Sequence, residues 1–226
     1  MSAAAAISRT CEVRHAGRLP FAEAFELQRR LVADRQAGRI GDQLLLLEHP
    51  PVVTMGRNGQ AGNLLLSPAL LAARGIDFHE TDRGGDVTYH GPGQIVGYPI
   101  LDLNQWKRDV HLYVRALEQV LIGAIEECGI ATRRIARLTG VWTAAEPPSK
   151  IAAIGVHLSR WVTSHGFALN VDPDLHHFSY IVPCGLARPV TSLRALGCQA
   201  TSDHVAACLT RHFLKVFEYD HGDSHD

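Results

Sequence analysis

The stretch from residue 83 to residue 98, RGGDVTYHGPGQIVGY, restricts the fold more than any other part of the chain. Five of its sixteen residues are glycine, yet its apolar residues follow the pattern of two strands. Glycines within a strand pattern indicate a turn, a bulge or the close approach of a ligand to the backbone. Because arginine, threonine, tyrosine and histidine are interspersed among them, the stretch is typical of a pocket wall. The alternative is a plain β-hairpin whose turn at 91–93 requires unusual dihedral angles.

The length and composition are those of one soluble globular domain. A chain of 226 residues can bury a single core, and its 46% hydrophobic and 20% charged residues are ordinary proportions. The net charge of −1 gives no indication of a nucleic acid or an anionic membrane as partner. No run reaches the ~18 apolar residues of a membrane span, and MSAAAAISRT at the start is not a signal peptide. We therefore expect a cytoplasmic protein, monomeric by default, forming one domain over residues 1–226 with loose ends at 1–10 and 220–226.

Hydrophobic periodicity predicts helices and strands that mix without a regular βαβ alternation, which indicates an α+β fold. The predicted helices cover residues 20–35, 68–73, 109–129 and 202–219. The predicted strands cover residues 11–15, 43–48, 52–55, 76–80, 132–135, 141–143, 150–158 and 161–171, in addition to the two strands of the glycine-rich stretch, the second ending at about 103. The run QLLLLE at 43–48 is continuously apolar, as in a buried central strand.

Cys184 is the thiol in the most unusual position. Pro183 before it and Gly185 after it indicate a turn, and turns present side chains that helices and strands bury. A free thiol has a pKa near ~8.5, so a good nucleophile needs a neighbouring cation. A fall of two pKa units requires about 2.7 kcal/mol of differential stabilisation. The alternative is a purely structural turn cysteine.

Lys150 is the candidate cation. It is one of three lysines among 22 basic residues, and it opens the apolar strand pattern IAAIGVHL. An ammonium is a compact charge that can also release a proton, which arginine does not do in practice. The alternative is that this lysine only protects a strand edge.

Other chemistries have weaker signals in the sequence. His90, His157 and His165 are each candidates for a general base, but the pattern does not select one of them. The five cysteines, of which Cys184 is one, have no C-x-x-C spacing, so neither a disulfide framework nor a zinc site is expected. The loop GRNGQAG at 56–62 lacks the spacing of a phosphate loop. We therefore expect no metal and no ATP as cofactor.

Several motifs in one order resemble the octanoyltransferases, also called lipoate–protein ligase B. They are the stretch 83–98, His49-Pro50-Pro51-Val52 with Gly56-Arg57, Lys150 with Ala153-Ile154-Gly155, the segment HGFALN at 165–170, and Pro183-Cys184-Gly185-Leu186. The resemblance extends from about residue 43 to residue 195. It implies a fold of mixed sheets flanked by helices, related to biotin protein ligases and class II synthetase cores.

The resemblance also implies an activity and its residues. The family transfers an octanoyl group from acyl carrier protein to a lysine of apo lipoyl domains, in dehydrogenase complexes and the glycine cleavage H protein. Cys184 would carry the acyl group as a thioester, and Lys150 would lower its pKa and move the proton. The acyl pocket would be lined by Arg83, Gly84, Gly85, Asp86, Val87, Thr88, Tyr89, His90, Ala153, Ile154, Gly155, Gly166, Phe167 and Ala168. The glycines at 84, 85, 155 and 166 are expected to leave room for the chain. The alternatives are an ATP-dependent lipoate or biotin ligase and a non-catalytic binder of lipoyl domains or carrier protein.

Overall fold

The computed structural model describes residues 9–182 and 188–220, so Cys184 lies outside the described residues. The helices are α1 (Phe21–Gln36), α2 (Pro68–Ala72), α3 (Val110–Glu127) and α4 (Ser202–Val216). The strands are β1 (Cys11–Arg18), β2 (Asp42–Glu48), β3 (Val52–Met55), β4 (Asp77–Glu80), β5 (Val87–His90), β6 (Gln94–Ile100), β7 (Thr132–Ile135), β8 (Leu138–Thr143), β9 (Lys150–Ser159) and β10 (Val162–Asn170).

The strands form two mixed sheets. The large sheet has the order β1-β2-β6-β10-β9-β8-β7, in which β1 is parallel to β2 and the other neighbours are antiparallel. The small sheet has the order β4-β3-β5, with β4 parallel and β5 antiparallel to β3. This arrangement confirms the predicted α+β class with mixed sheets flanked by helices.

The helices cover both faces of the large sheet, as their apolar stripes require. Helix α3 begins where the Asp109 side chain accepts hydrogen bonds from the backbone N–H groups of His111 and Leu112, at 2.7 and 3.1 Å. Helices α3 and α4 enclose the main core on one face, and α1 packs a second cluster against the other. The run at 43–48 is the buried strand β2 between β1 and β6, as predicted. Within residues 9–182 and 188–220, no helix has both the length and the hydropathy to cross a membrane.

The glycine-rich stretch is not a hairpin, contrary to the simpler of its two interpretations. Strand β5 pairs with β3 in the small sheet, whereas β6 lies between β2 and β10 in the large one. The turn at 91–93 therefore carries the chain from one sheet to the other. Gly93 has φ 86° and packs so tightly on the Asp172 carbonyl that a Cβ would collide with it. Gly93 is required at this sheet crossing, which local sequence patterns do not distinguish from a hairpin.

The two ends of the described chain meet. The backbone N–H of Asp220 donates to the Arg9 carbonyl at 3.0 Å, and the Arg9 guanidinium bonds the Asp42 carboxylate and the Tyr219 hydroxyl, both at 3.2 Å. These contacts fix the start of β1 beside the end of α4.

Candidate active site

A pocket of about 560 Å³, including the space at its open mouth, lies where the small sheet meets β9 and β10. It collects predicted residues from three separate parts of the chain. Its lining comprises Phe21, Arg83, Gly85, Asp86, Val87, Thr88, His90, Val96, Tyr98, Lys150, Ala153, Ile154, Gly155, His165, Gly166, Phe167 and Ala168. The structure thus brings together Lys150 and twelve of the fourteen residues expected to contact an acyl chain.

Gly84 and Tyr89 lie beside this pocket rather than in its wall. The Gly84 N–H donates to the Val156 carbonyl at 2.8 Å, and Gly84 lines an adjoining open groove. The Tyr89 ring is buried in the core of the small sheet, edge-on to Phe178 with ring centroids 5.4 Å apart. Its neighbours Thr88 and His90 point to the opposite face of β5 and line the pocket.

Lys150 is held in a buried position at the first residue of β9. Its side chain lies over the Trp142 ring, with Nζ 4.8 Å from the ring centroid, and only 8% of the residue is exposed. Its N–H donates to the Pro189 carbonyl at 2.8 Å, and its carbonyl accepts from the Thr191 N–H at 2.9 Å. The Lys150 amine is therefore fixed in a region of low dielectric constant, where an ion pair with a neighbouring group is strong.

Arg83 connects the pocket wall to the small sheet through hydrogen bonds. Its Nη2 donates to the Thr54 carbonyl at 2.7 Å, and its Nε and Nη2 both reach the Thr54 hydroxyl. Its Nη1 donates to the Gly84 carbonyl at 3.1 Å. These bonds attach the loop before β5 to the small sheet, so the guanidinium holds this part of the pocket wall in position.

Three buried histidines lie in or beside the pocket: His90 and His165 line it, and His49 lies behind His90. Burial lowers the pKa of His90 well below its ordinary value, and His49 and Arg83 lower it further. Burial also lowers the pKa of His49, whose ring nitrogens lie 2.7 Å from the Leu19 carbonyl and 2.7 Å from the Tyr98 hydroxyl. Burial lowers the pKa of His165 as well, although its partner Asp82 acts in the opposite direction. All three rings are therefore favoured in the neutral form.

Of the three histidines considered as general bases, the structure places two in the pocket lining. His90 bonds Gln94 at 3.1 Å, and His165 Nε2 lies 2.7 Å from the Asp82 carboxylate. His157 also approaches Asp82, at 3.5 Å, but does not line the pocket. The bond to His165 lowers the pKa of Asp82.

The glycines of β9 and β10 do not leave space for a ligand in the way the sequence suggested. A Cβ at Gly155 would lie 2.8 Å from the Gly84 carbonyl oxygen, and one at Gly166 would collide with the Gly97 carbonyl. Both glycines are needed because neighbouring backbones pack against them. The small side chains of Ala153 and Ala168, which pair across β9 and β10, line the pocket.

The four cysteines in the described residues lie away from the pocket. Cys11, Cys128, Cys198 and Cys208 are all free, and none lines the pocket. Burial raises the pKa of Cys128 to about 11 and raises the pKa of Cys11 still further. Among residues 9–182 and 188–220 there is also no group of three or more potential metal ligands.

Four lining residues were not among those predicted to contact substrate: Phe21, Val96, Tyr98 and His165. Val96 and Tyr98 belong to the glycine-rich stretch, and His165 was considered only as a base. Phe21 had no signal beyond the apolar stripe of α1, because its contact with the pocket depends on how that helix packs across β6 and β10.

The sequence matches the family described as "Lipoyl protein ligase A/B catalytic domain" over residues 20–214. It is also 58% identical over 212 residues to the octanoyltransferase of Solibacter usitatus (strain Ellin6076), covering 94% of this chain and 95% of that protein. The chain belongs to the octanoyltransferase family. A member of this family is an acyltransferase, which excludes the interpretation as a non-catalytic binder.

Solved structures agree on the fold. A bipartite lipoate protein ligase from Thermoplasma acidophilum superposes with a TM-score of 0.72 at 16% identity, covering 97% of this chain and 87% of that one. The biotin protein ligase from Aquifex aeolicus superposes with a TM-score of 0.51 at 12% identity, covering 94% and 70%. The predicted relationship to biotin protein ligases is therefore confirmed at the level of the fold.

Proposed function

We propose that this enzyme transfers an octanoyl group from octanoyl-acyl carrier protein to a lysine of an apo lipoyl domain, through a thioester on Cys184. The observation that carries the proposal is the largely apolar pocket beside buried Lys150, in a chain 58% identical to an octanoyltransferase. Burying each methylene of an acyl chain contributes ~0.8 kcal/mol, so a largely apolar pocket of this kind favours an aliphatic ligand.

In the first step the Cys184 thiolate attacks the thioester carbonyl of the donor. A new carbon–sulfur bond forms, the bond to the carrier sulfur breaks, and the carrier leaves as a thiol after receiving a proton. Lys150 accepts the proton of the Cys184 thiol and passes it to the leaving sulfur. One thioester replaces another, so the step needs no ATP and no metal.

In the second step the ε-amine of the acceptor lysine attacks the Cys184 thioester. An amide bond forms, the carbon–sulfur bond breaks, and the lost amine proton returns the cysteine to its thiol form through Lys150. The acceptors we propose are the lipoyl domains of dehydrogenase complexes and the glycine cleavage H protein. The T. acidophilum ligase was analysed together with its E2 lipoyl domain, which supports an acceptor of this class.

The surroundings of Lys150 support its pairing with Cys184. The backbone of Lys150 is bonded to Pro189 and Thr191. Cys184 lies five positions before Pro189 in the sequence, a short connection for a chain that extends by at most ~3.6 Å per residue. The cation is thus held next to the polypeptide that continues from the proposed nucleophile.

The test is a single incubation with octanoyl-acyl carrier protein, read by intact mass and then by peptide mapping. We expect one octanoyl adduct on Cys184, which transfers to an added apo lipoyl domain, and no adduct in Cys184→Ser. Cys198→Ser is the matched control, because this free thiol lies outside the pocket, and it should form the adduct normally. An adduct on any other residue would refute the assignment of the nucleophile.

The same incubation distinguishes the ATP-dependent ligase. We propose transfer in the cytoplasm by a monomer without ATP, so adding ATP and free octanoate in place of the carrier thioester should give no product. Product formed only with ATP, and without a cysteine adduct, would favour the ligase.

A further inference from the structure

At the inner end of the pocket, one side chain of β10 points to the opposite face of the sheet from the one that strand alternation predicts. Odd-numbered residues such as Phe167 and Leu169 pack into the core under α3 and α4, whereas Ala168 packs on the α1 side. His165 breaks this alternation because its backbone is left-handed, with φ 54°. Its ring therefore stacks on Phe25 of α1, with centroids 5.4 Å apart.

Contacts from two other elements hold His165 in this conformation. Its N–H donates to the Gln28 side chain of α1 at 2.7 Å, and its Nε2 lies 2.7 Å from the Asp82 carboxylate. The Thr81 hydroxyl lies 3.4 Å from the same nitrogen. A left-handed conformation is unfavourable for a residue with a Cβ and persists only where the surroundings enforce it, often at a ligand site.

His165 closes the pocket together with Phe21 and Tyr98. The three residues are 2%, 4% and 4% exposed, whereas Gly85 at the mouth is exposed. Tyr98 meets the His165 ring edge-on, with centroids 6.2 Å apart, and its hydroxyl is engaged by His49. The His165 Nε2 and the Tyr98 hydroxyl thus have partners within the protein, which suits this end of the pocket to an apolar terminus.

The distance along the strands matches a short acyl chain. Ala153 pairs with Ala168 in the pocket wall, and Val156 pairs with His165 three residues farther along the strands. Three strand residues span about 10 Å. A chain of eight carbons spans about 9 Å when extended, at roughly 1.25 Å per bond along its axis. Two more methylenes would need about 2.5 Å of additional depth, which the His165 ring occupies.

We propose that His165 is a specificity-determining residue that limits the acyl chain to about eight carbons, with Phe21 and Tyr98 completing the barrier. This inference rests on the proposed acyl transfer, because it concerns the depth of the same pocket. The side chain acts by its volume and its enforced direction, and takes no proton in the reaction.

The test compares octanoyl and decanoyl donors on the full-length enzyme by kcat/KM. The variants are His165→Asn, since asparagine tolerates the left-handed conformation, and Phe21→Ala, which opens the barrier from α1. The matched control is His157→Asn, a histidine that also contacts Asp82 but lies outside the pocket. We expect the decanoyl-to-octanoyl ratio to rise in both variants, with a ceiling of about 15-fold for two buried methylenes, and to stay unchanged in the control.

The outcomes separate the inference from the proposed function. A wild-type enzyme that transfers no octanoyl group contradicts the proposed function. If the wild type transfers octanoate, an unchanged ratio in folded His165→Asn overturns the length limit, even if both rates fall. Should His165→Asn not fold, the ratio in Phe21→Ala decides in the same way. An equal rise in His157→Asn would also overturn the inference, since it would show a general loosening.

Discussion

Gly155→Ala adds a single methyl group where two backbones meet at the pocket wall. The new Cβ would lie 2.8 Å from the Gly84 carbonyl oxygen and 3.2 Å from Cδ of Arg83. Carbon–oxygen contacts in proteins are normally ~3.3 Å or longer, so the loop at 83–85 would have to retreat by about half an ångström.

The loop cannot move away without weakening the hydrogen bonds that hold it. The Gly84 N–H donates to the Val156 carbonyl at 2.8 Å, and the Arg83 guanidinium is bonded to the Thr54 carbonyl at 2.7 Å. Overpacking of this kind costs about 1–3 kcal/mol. Replacing glycine lowers the entropy of the unfolded chain, which by itself stabilises the folded state by about 0.4–1 kcal/mol. We therefore expect a net destabilisation of up to about 2.6 kcal/mol, together with a lower kcat/KM, because Arg83 and Gly85 line the pocket.

Urea unfolding and octanoyl transfer measure the two effects. Gly41→Ala is the matched control, because a Cβ there has no atom within 4 Å and its φ is not in the left-handed region. The control should be unchanged or slightly more stable, with normal kcat/KM. If Gly155→Ala has the stability and activity of Gly41→Ala, the close packing of β9 against the loop does not constrain the pocket.

Three further predictions concern the charged and polar groups around the pocket. Lys150→Arg should keep the fold and a cation on Trp142 but lose most of the transfer rate, because arginine does not accept a proton; single-turnover kinetics would reveal a near-normal rate that contradicts the proton transfer. Tyr98→Phe should lower the free energy of unfolding by about 1–3 kcal/mol, because it leaves buried His49 without one partner, and urea unfolding measures this loss. Stability should fall as the pH drops below ~6.5, because His90 has a lowered pKa in the folded state and binds its proton first in the unfolded chain. Such a histidine contributes a slope of up to ~1.4 kcal/mol per pH unit between its unfolded and its folded pKa. Urea unfolding at pH 7.5 and 5.5 should therefore show a smaller loss of stability for His90→Gln than for the wild type. An equal loss in the two proteins would contradict the assignment to His90.

Most of the secondary structure could be predicted from the sequence, because each helix or strand is defined by residues close together in the chain. Asp109 and Gly129 bracket α3, and the run at 43–48 is buried on both faces as β2. Strands β9 and β10 follow their predicted pattern to within one or two residues. In each case the apolar spacing and the capping residues are sufficient to define the element.

The pairing of strands could not be predicted in the same way. Strands β5 and β6 are separated by only three residues, which normally indicates a hairpin, yet they belong to different sheets. Their pairing depends on contacts with β3, β2 and β10, which are distant in sequence. The inclusion of Phe21 in the pocket has the same origin, because it depends on the packing of α1 across the large sheet.

The crossings between the sheets explain why polar residues gather at this pocket. Apolar side chains cannot fill the junction without closing the cavity, so hydrogen bonds join the sheets around it. His90 at the end of β5 bonds Gln94 at the start of β6, and His165 of β10 bonds Asp82 beyond β4. These bonds hold when the rings are neutral, as burial favours. Protonation of either ring would place a charge at the junction, so the groups that keep the pocket open also make its stability depend on pH.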